Sequence, residues 1–303
     1  MFIYEKKQHK KDGHEYLEIT GFEGRVTDMV VPERIEGTPV EAIGNHAFSG
    51  RSDIVSISLP ETIKTLYGFA FHDCRNLKKI TLFDSLDDYY DGVCRQCDSL
   101  EDIEITVNRS WYEVIRNFLA DSDMTLRFLV HSKKEGSGDY FTSCLTFPGY
   151  VYDFNENTMA RTIQFTIAGS GYAYRESVDR RKIDYRQYDN LFAKAVIDGA
   201  VIAQDIAIGR ILYPVELDDI SRKKYEDYLR DNGSSVLKRL IDKAGEQTGA
   251  LDTLKKLLEY SLFVEIDIDN AIKYSAASGK TVISAVIMDL QGSKNEADGG
   301  FFL

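Results

Sequence analysis

Residues 54–76 read IVSISLPETIKTLYGFAFHDCRN and residues 77–99 read LKKITLFDSLDDYYDGVCRQCDS, one apolar pattern written twice. Ile57, Leu59, Ile63, Leu66, Ala70, Phe71, Cys74 and Leu77 return 23 positions later as Ile80, Leu82, Leu86, Tyr89, Val93, Cys94, Cys97 and Leu100. Ile103 and Ile105 open a third copy, and Ala47-Phe48 stands 23 residues ahead of Ala70-Phe71. Apolar residues at one fixed spacing describe coils that bury themselves only against their neighbours, so the spacing predicts a short solenoid of three to four coils.

Working back towards the N-terminus, residues 26–50 fit the same pattern once an excursion over Ile35–Val40, turned by Gly37-Thr38-Pro39, is set aside. Pro32 and Pro60 follow the strands, where a missing N–H costs least. Each copy reads strand, turn, apolar residue and then Ala-Phe in a small helical turn, as in Ile43-Gly44-Asn45-His46-Ala47-Phe48 and Leu66-Tyr67-Gly68-Phe69-Ala70-Phe71-His72-Asp73-Cys74. In the copy at 77–99 Val93-Cys94 replaces Ala-Phe. Over residues 26–107 this signature resembles the BspA-like class of leucine-rich repeats. The resemblance implies a recognition surface with a protein or peptide partner. Many members of that class are secreted adhesins, so a cell-surface adhesin is an alternative reading.

Ahead of the repeats, Phe2–Lys6 and Tyr16–Thr20 alternate like a strand pair joined near Asp12-Gly13. Behind them, Ser110 and Glu113 have the spacing of a capping box, and the helix they open carries the only tryptophan, Trp111, as a cover for the last coil. The period stops after Asp121, which puts a boundary between 120 and 135. Thr125–Val130, Tyr140–Phe147, Val151–Phe154 and Thr162–Ala168 are strand-like. From Asp184 onward the spacing turns helical, over 185–196, 200–213, 221–230, 235–243, 251–262, 268–277 and 281–290. Residues 271–287 resemble an ankyrin unit in their order of helix, Ala-x-x-Gly, helix, and the segment from GSGYAYR onward is similar to a tail on other bacterial repeat proteins. The expected class is therefore α/β repeat plus α-rich. A leucine-rich-repeat solenoid with a capping helix spans 1–122, a small β segment and a helical-repeat-like domain span 123–294, and a flexible tail spans 295–303.

The net charge of −12, from 37 basic and 49 acidic residues, argues against a nucleic-acid partner, which needs a basic face to neutralise phosphates. The start Met-Phe-Ile-Tyr turns charged at Glu5-Lys6-Lys7, and no apolar run is long enough for a signal peptide or a membrane span. These features predict a cytoplasmic protein without a membrane partner. Four cysteines, Cys74, Cys94, Cys97 and Cys144, read as reduced thiols.

No motif names a reaction. Cys94-Arg95-Gln96-Cys97 has redox or zinc spacing, but Cys97 stands where Cys74 stands one coil earlier and Cys94 where Phe71 stands, so both read as core. The acids from Asp84 to Asp91 lack the internal glycine of a calcium loop and read as a charged coil edge. Gly169-Ser170-Gly171 lacks the third glycine of a dinucleotide fingerprint and reads as a strand-ending turn. The five histidines are scattered, so neither metal nor cofactor is expected. The positive candidate is the sheet face. Strand alternation points Asp28, Val30, Ser56, Ser58, Lys79, Thr81, Asp102 and Glu104 outward as a polar strip for a protein partner, with the helical domain as a second surface. An alternative site, binding or hydrolysing a small anion, draws on Arg161, Tyr172, Tyr174 and Arg175.

Overall fold

The fold is taken from a computed structural model that describes residues 1–134, 136, 138–157, 162–245 and 249–299. The chain forms two compact units, Met1–Ile202 and Ala203–Leu303.

The first unit opens with the hairpin β1 (Phe2–Gln8) and β2 (Glu15–Phe22), followed by β3 (Asp28–Val30), β4 (Arg34–Ile35), β5 (Thr38–Ile43), β6 (Ser56–Ser58), β7 (Thr65–Leu66), β8 (Lys79–Phe83), β9 (Asp88–Tyr89) and β10 (Asp102–Val107). These short strands alternate between two sheets, as one chain winding through successive coils requires. In the first sheet β3, β6, β8 and β10 pair in parallel, so that Met29, Ile57, Ile80 and Ile103 stand in one column. In the second, Ile19, Ile43, Leu66 and Tyr89 form a matching column on β2, β5, β7 and β9. Ile57, Leu66, Phe71, Leu77 and Ile80 have no exposed surface, so the repeated apolar positions are the core. The excursion at 35–40 is the β4–β5 hairpin.

The third side of each coil is the Ala-Phe turn, and it is also bonded coil to coil. The Phe48 N–H donates to Ala70 O and the Phe71 N–H to Val93 O, each at 2.8 Å. Two left-handed positions flank this turn and recur at the repeat spacing: His46, Phe69 and Gly92 at φ 56°, 57° and 71°, and Gly50, Asp73 and Gln96 at 73°, 57° and 63°. The His46 ring stacks on Phe69 with centroids 5.1 Å apart. Glycine at 92 makes room for the next step, since a Cβ there would meet the Phe69 ring at 2.7 Å.

Helix α1 (Glu113–Asp121) buries Val114, Ile115, Phe118 and Leu119. The expected capping box is absent: Tyr112 is the N-cap, its hydroxyl bonded to Ser132 rather than to the helix, and Ser110 sits at φ 53°, outside the helix. Trp111 is likewise not the cover for the last coil. It lies half-buried under the Arg181 guanidinium at 4.8 Å, and Phe118, edge-on to Tyr89 at 5.3 Å, fills that place.

The ladder also continues beyond α1. Strand β11 (Leu126–Lys133) pairs in parallel with β10, Ile103 opposite Phe128, and β12 (Tyr140–Phe147) adds antiparallel to β11. The boundary expected between 120 and 135 thus falls inside a continuous sheet. Its step of 25 residues, from Ile103 to Phe128, departs from the period of 23 that the sequence pattern follows. Strands β13 (Val151–Asn157) and β14 (Thr162–Ala168) make a separate antiparallel pair. Gly169-Ser170-Gly171 starts the short helix α2 (Gly171–Arg175), with the Ser170 N–H and hydroxyl held by the Asp198 carboxylate. The helix expected over 185–196 is broken at Leu191 into α3 (Tyr185–Asn190), capped by Asp184, and α4 (Phe192–Asp198).

The second unit begins within α5 (Ala200–Leu212) and continues through α6 (Asp219–Asp231), α7 (Gly233–Ala244), α8 (Ala250–Glu259), α9 (Glu265–Ala277) and α10 (Thr281–Gly299). Leu237, Ile241, Leu254 and Leu257 form its core. The Asp218 side chain caps α6, and Gly279 at φ 73° turns α9 into α10. Residues 295–299 of the expected tail belong to α10, and 300–303 lie outside the described residues. Among the described residues, no helix is long and apolar enough to cross a membrane.

Candidate functional site

Parallel pairing without slippage places register partners side by side on the outward face of the first sheet. One row reads Asp28, Ser56, Lys79, Asp102 and Arg127, and the next reads Val30, Ser58, Thr81, Glu104 and Leu129. All eight predicted strip residues lie in these two rows, and their neighbours Met29, Ile57, Ile80 and Ile103 are buried behind them. The alternation of a pleated strand accounts for both facts.

The rows are cross-linked by charge. Arg127 donates from Nε and Nη2 to the two carboxylate oxygens of Asp102 at 2.6 and 2.8 Å, the bidentate geometry that suits a planar guanidinium. The Lys79 ammonium lies 2.6 Å from Glu104, and His131 Nε2 lies 3.1 Å from the other Glu104 oxygen. His131 Nδ1 lies 2.9 Å from the Thr142 hydroxyl, and the Ser56 hydroxyl donates to Asp28 at 2.6 Å. Glu104 is partly desolvated, yet Lys79 and His131 hold its carboxyl below the ordinary range. Val30, 68% exposed, stands at the open end of the strip.

Arg127, Leu129 and His131 were not expected there. They enter because β11 continues the ladder at a step of 25 residues, which the period of 23 does not anticipate.

The other predicted features fall elsewhere. Arg175 spends its guanidinium on backbone carbonyls of Leu119, Pro148, Gly171, Ser122 and Met124, and stacks on Tyr150 at 4.8 Å. With those donors committed, it holds chain segments together and has little to offer an anion. Tyr174 is fully buried against Tyr188, Tyr172 is exposed, and Arg161 lies outside the described residues. Cys74 and Cys97 point into the coils, and their thiols donate to Phe48 O and Phe71 O at 3.1 and 3.0 Å. Burial pushes the Cys94 thiol up, away from the reactive thiolate. Asp84 is not on a charged coil edge. It is buried and accepts the N–H groups of Asn108, Arg109 and Trp111 at 2.9, 2.7 and 3.2 Å.

A further cluster, His9, Asp12 and His14, assembles at the β1–β2 turn, with Glu41 of β5 beside it. The alternation of β1 and β2 gives no warning of it, because the turn geometry brings the three together.

The family model described as "BspA type Leucine rich repeat region" matches residues 27–146 in six copies, ending one residue before the end of β12. Residues 27–146 are a BspA-type leucine-rich repeat region. Repeats of this type generally serve as protein-interaction or surface-associated modules. Among solved structures, the chain is similar to a leucine-rich cell surface protein of Faecalibacterium prausnitzii, at 20% identity over 35% of this chain and 33% of that one, with a TM-score of 0.29. It is similar to a leucine-rich repeat protein of T. pallidum at 19% identity, covering 33% and 68% of the two chains, with a TM-score of 0.23. A leucine-rich repeat protein from Bacteroides ovatus follows at 15% identity, covering 34% and 48%, with a TM-score of 0.20. The chain therefore spans about a third of the first of these proteins. No curated protein matches the chain.

Proposed function

We propose that this chain is a non-catalytic interaction module or scaffold that holds a protein or peptide partner on the outward strip of its first sheet. The observation that carries the reading is the in-register pair of rows, in which Lys79, Asp102, Glu104 and Arg127 present fixed charges of both signs at strand spacing. The strip's charges are paired on half-exposed side chains, so they contribute little to stability of the free protein. Their arrangement suits charge matching against a partner, which sets orientation and encounter rate. An action in the cytoplasm belongs to the same proposal. Recovery of the protein from outside the cell on fractionation would favour an adhesin instead.

The test is affinity capture with the full chain and with a Lys79→Glu, Arg127→Glu double variant. The expected result is a partner protein held by the parent and lost at least tenfold by the variant, while both melt at nearly the same temperature. Equal capture by the two, or a parent that captures no macromolecule at all, contradicts the proposal.

A further inference from the structure

The N-terminal hairpin carries a cluster that recognition by the sheet does not use. Gly13, at φ 74°, turns the chain between β1 and β2 so that His9, Asp12 and His14 converge. Both Nδ1 atoms face one carboxylate oxygen, that of His9 at 3.0 Å and that of His14 at 2.7 Å from Asp12 Oδ1. The two imidazoles are stacked with centroids 5.0 Å apart. Among the described residues, this is the one group of three His, Cys, Asp or Glu whose donor atoms all lie within 4.8 Å of one another. On the far side of the His14 ring, Nε2 lies 3.0 and 2.9 Å from the two carboxylate oxygens of Glu41.

The Glu41 contact decides the role of one His14 nitrogen. An ionised carboxylate only accepts, so the Nε2 that faces Glu41 carries hydrogen. In a neutral ring that leaves the Nδ1 lone pair aimed at Asp12 Oδ1, an atom that also offers only lone pairs. That nitrogen and Asp12 Oδ1 can be bridged by a second ring proton or, in its place, by a metal cation, and His9 brings a second nitrogen to the same point. An imidazole bonded through its outer N–H to a carboxylate, with its inner nitrogen turned to a shared centre, is the arrangement that orients metal-binding histidines. Tetrahedral zinc with bonds of about 2.0–2.2 Å needs donor atoms about 3.3 Å apart. The contacts at 3.0 and 2.7 Å open to that spacing by a few tenths of an ångström, within reach of side chains that are 42%, 63% and 41% exposed. Two imidazoles and one carboxylate suit zinc better than calcium or magnesium, which take oxygen ligands.

We propose that His9, Asp12 and His14 form a zinc site, with Glu41 as the positioning residue for His14 and the fourth place left to water or to a ligand from outside. Zinc there closes the hairpin turn, and through Glu41 it links the turn to β5, the first strand to join β2 in parallel.

Calorimetric titration of the untagged full-length chain with zinc chloride tests this. The expected result is one saturable site, weakened at least tenfold by His9→Ala or His14→Ala and by about 10–100-fold by the conservative Glu41→Gln. The metal-free His9→Ala and His14→Ala variants, altered at positions 42% and 41% exposed, should melt like the parent. Cobalt spectra distinguish the buried cysteines as the source of binding. A site made of nitrogen and oxygen shows no sulfur-to-metal charge-transfer band. Absence of saturable binding, binding unchanged in a His9→Ala, His14→Ala double variant, or a strong sulfur band would each overturn the assignment.

Discussion

Several carboxylates in this chain do not face solvent as their polarity suggests, because they take up backbone N–H groups that the coils leave without partners. Asp53 shows the energetics most clearly. It accepts the Val26 N–H at 2.9 Å and a forked pair from Arg51, whose other donors reach Phe22 O and Gly24 O. The Arg51 hydrogen bonds, followed by that backbone N–H, hold the Asp53 carboxyl well below its ordinary range despite partial burial. A carboxyl depressed in the folded state contributes stability that is complete above its unfolded pKa of about 4 and is lost as pH falls towards the folded value. Asp53→Asn should therefore lower stability by about 2 kcal/mol at pH 7, with parent and variant converging as urea midpoints are followed from pH 4 to pH 2. A gap of the same size at pH 7 and pH 2 would show that charge plays no part.

At the scale of the element, a coil is stable because the next coil accepts its N–H groups, so the last coil needs a substitute. Cys94 is the repeat equivalent of Phe71, whose N–H is taken by Val93 O. Beyond Cys94 α1 takes the place of a further Ala-Phe turn, and the Asp121 carboxylate at its end accepts the Cys94 N–H at 3.1 Å. The same carboxylate takes the Gly92 N–H at 3.0 Å and the Tyr89 hydroxyl at 2.7 Å. Asp121→Ala leaves these donors without their acceptor and should cost about 1–3 kcal/mol in thermal or urea unfolding. A loss under half a kilocalorie would mean that water replaces the carboxylate freely. The repeated elements were legible because their period is strict: Ile57, Ile80 and Ile103 recur at equal spacing and stack as expected. The strand at Thr125–Val130 was expected and is β11, but its place in the ladder was not, since α1 intervenes and the spacing lengthens. The capping box failed for a local reason, because Ser110 adopts a left-handed turn and its hydroxyl is not placed to cap.

At the scale of the molecule, the first unit is a repeat ladder closed by a hairpin at one end and by α1, β11 and β12 at the other, and the second is helical. The eight outward residues were readable from strand alternation alone, which is a backbone property. The partners that fix their charges were not, because Arg127 and His131 reach Asp102 and Glu104 only through a pairing that the period does not announce. The hairpin cluster of His9, Asp12 and His14 was hidden for a similar reason, as its residues meet through a turn and its fourth member, Glu41, comes from another strand.

The claim on which the strip depends is that β11 continues the parallel ladder in register with β10, Asp102 beside Arg127. Register partners on adjacent strands lie about 4.8 Å apart, within the reach of a disulfide. The direct measurement is oxidative cross-linking of Asp102→Cys paired with Arg127→Cys, in a Cys144→Ser background, against Asp102→Cys paired with Leu129→Cys. The account predicts a rapid intrachain disulfide in the first pair and little in the second. Preferential cross-linking of the second pair, or dimers in place of an intrachain bond, would contradict it.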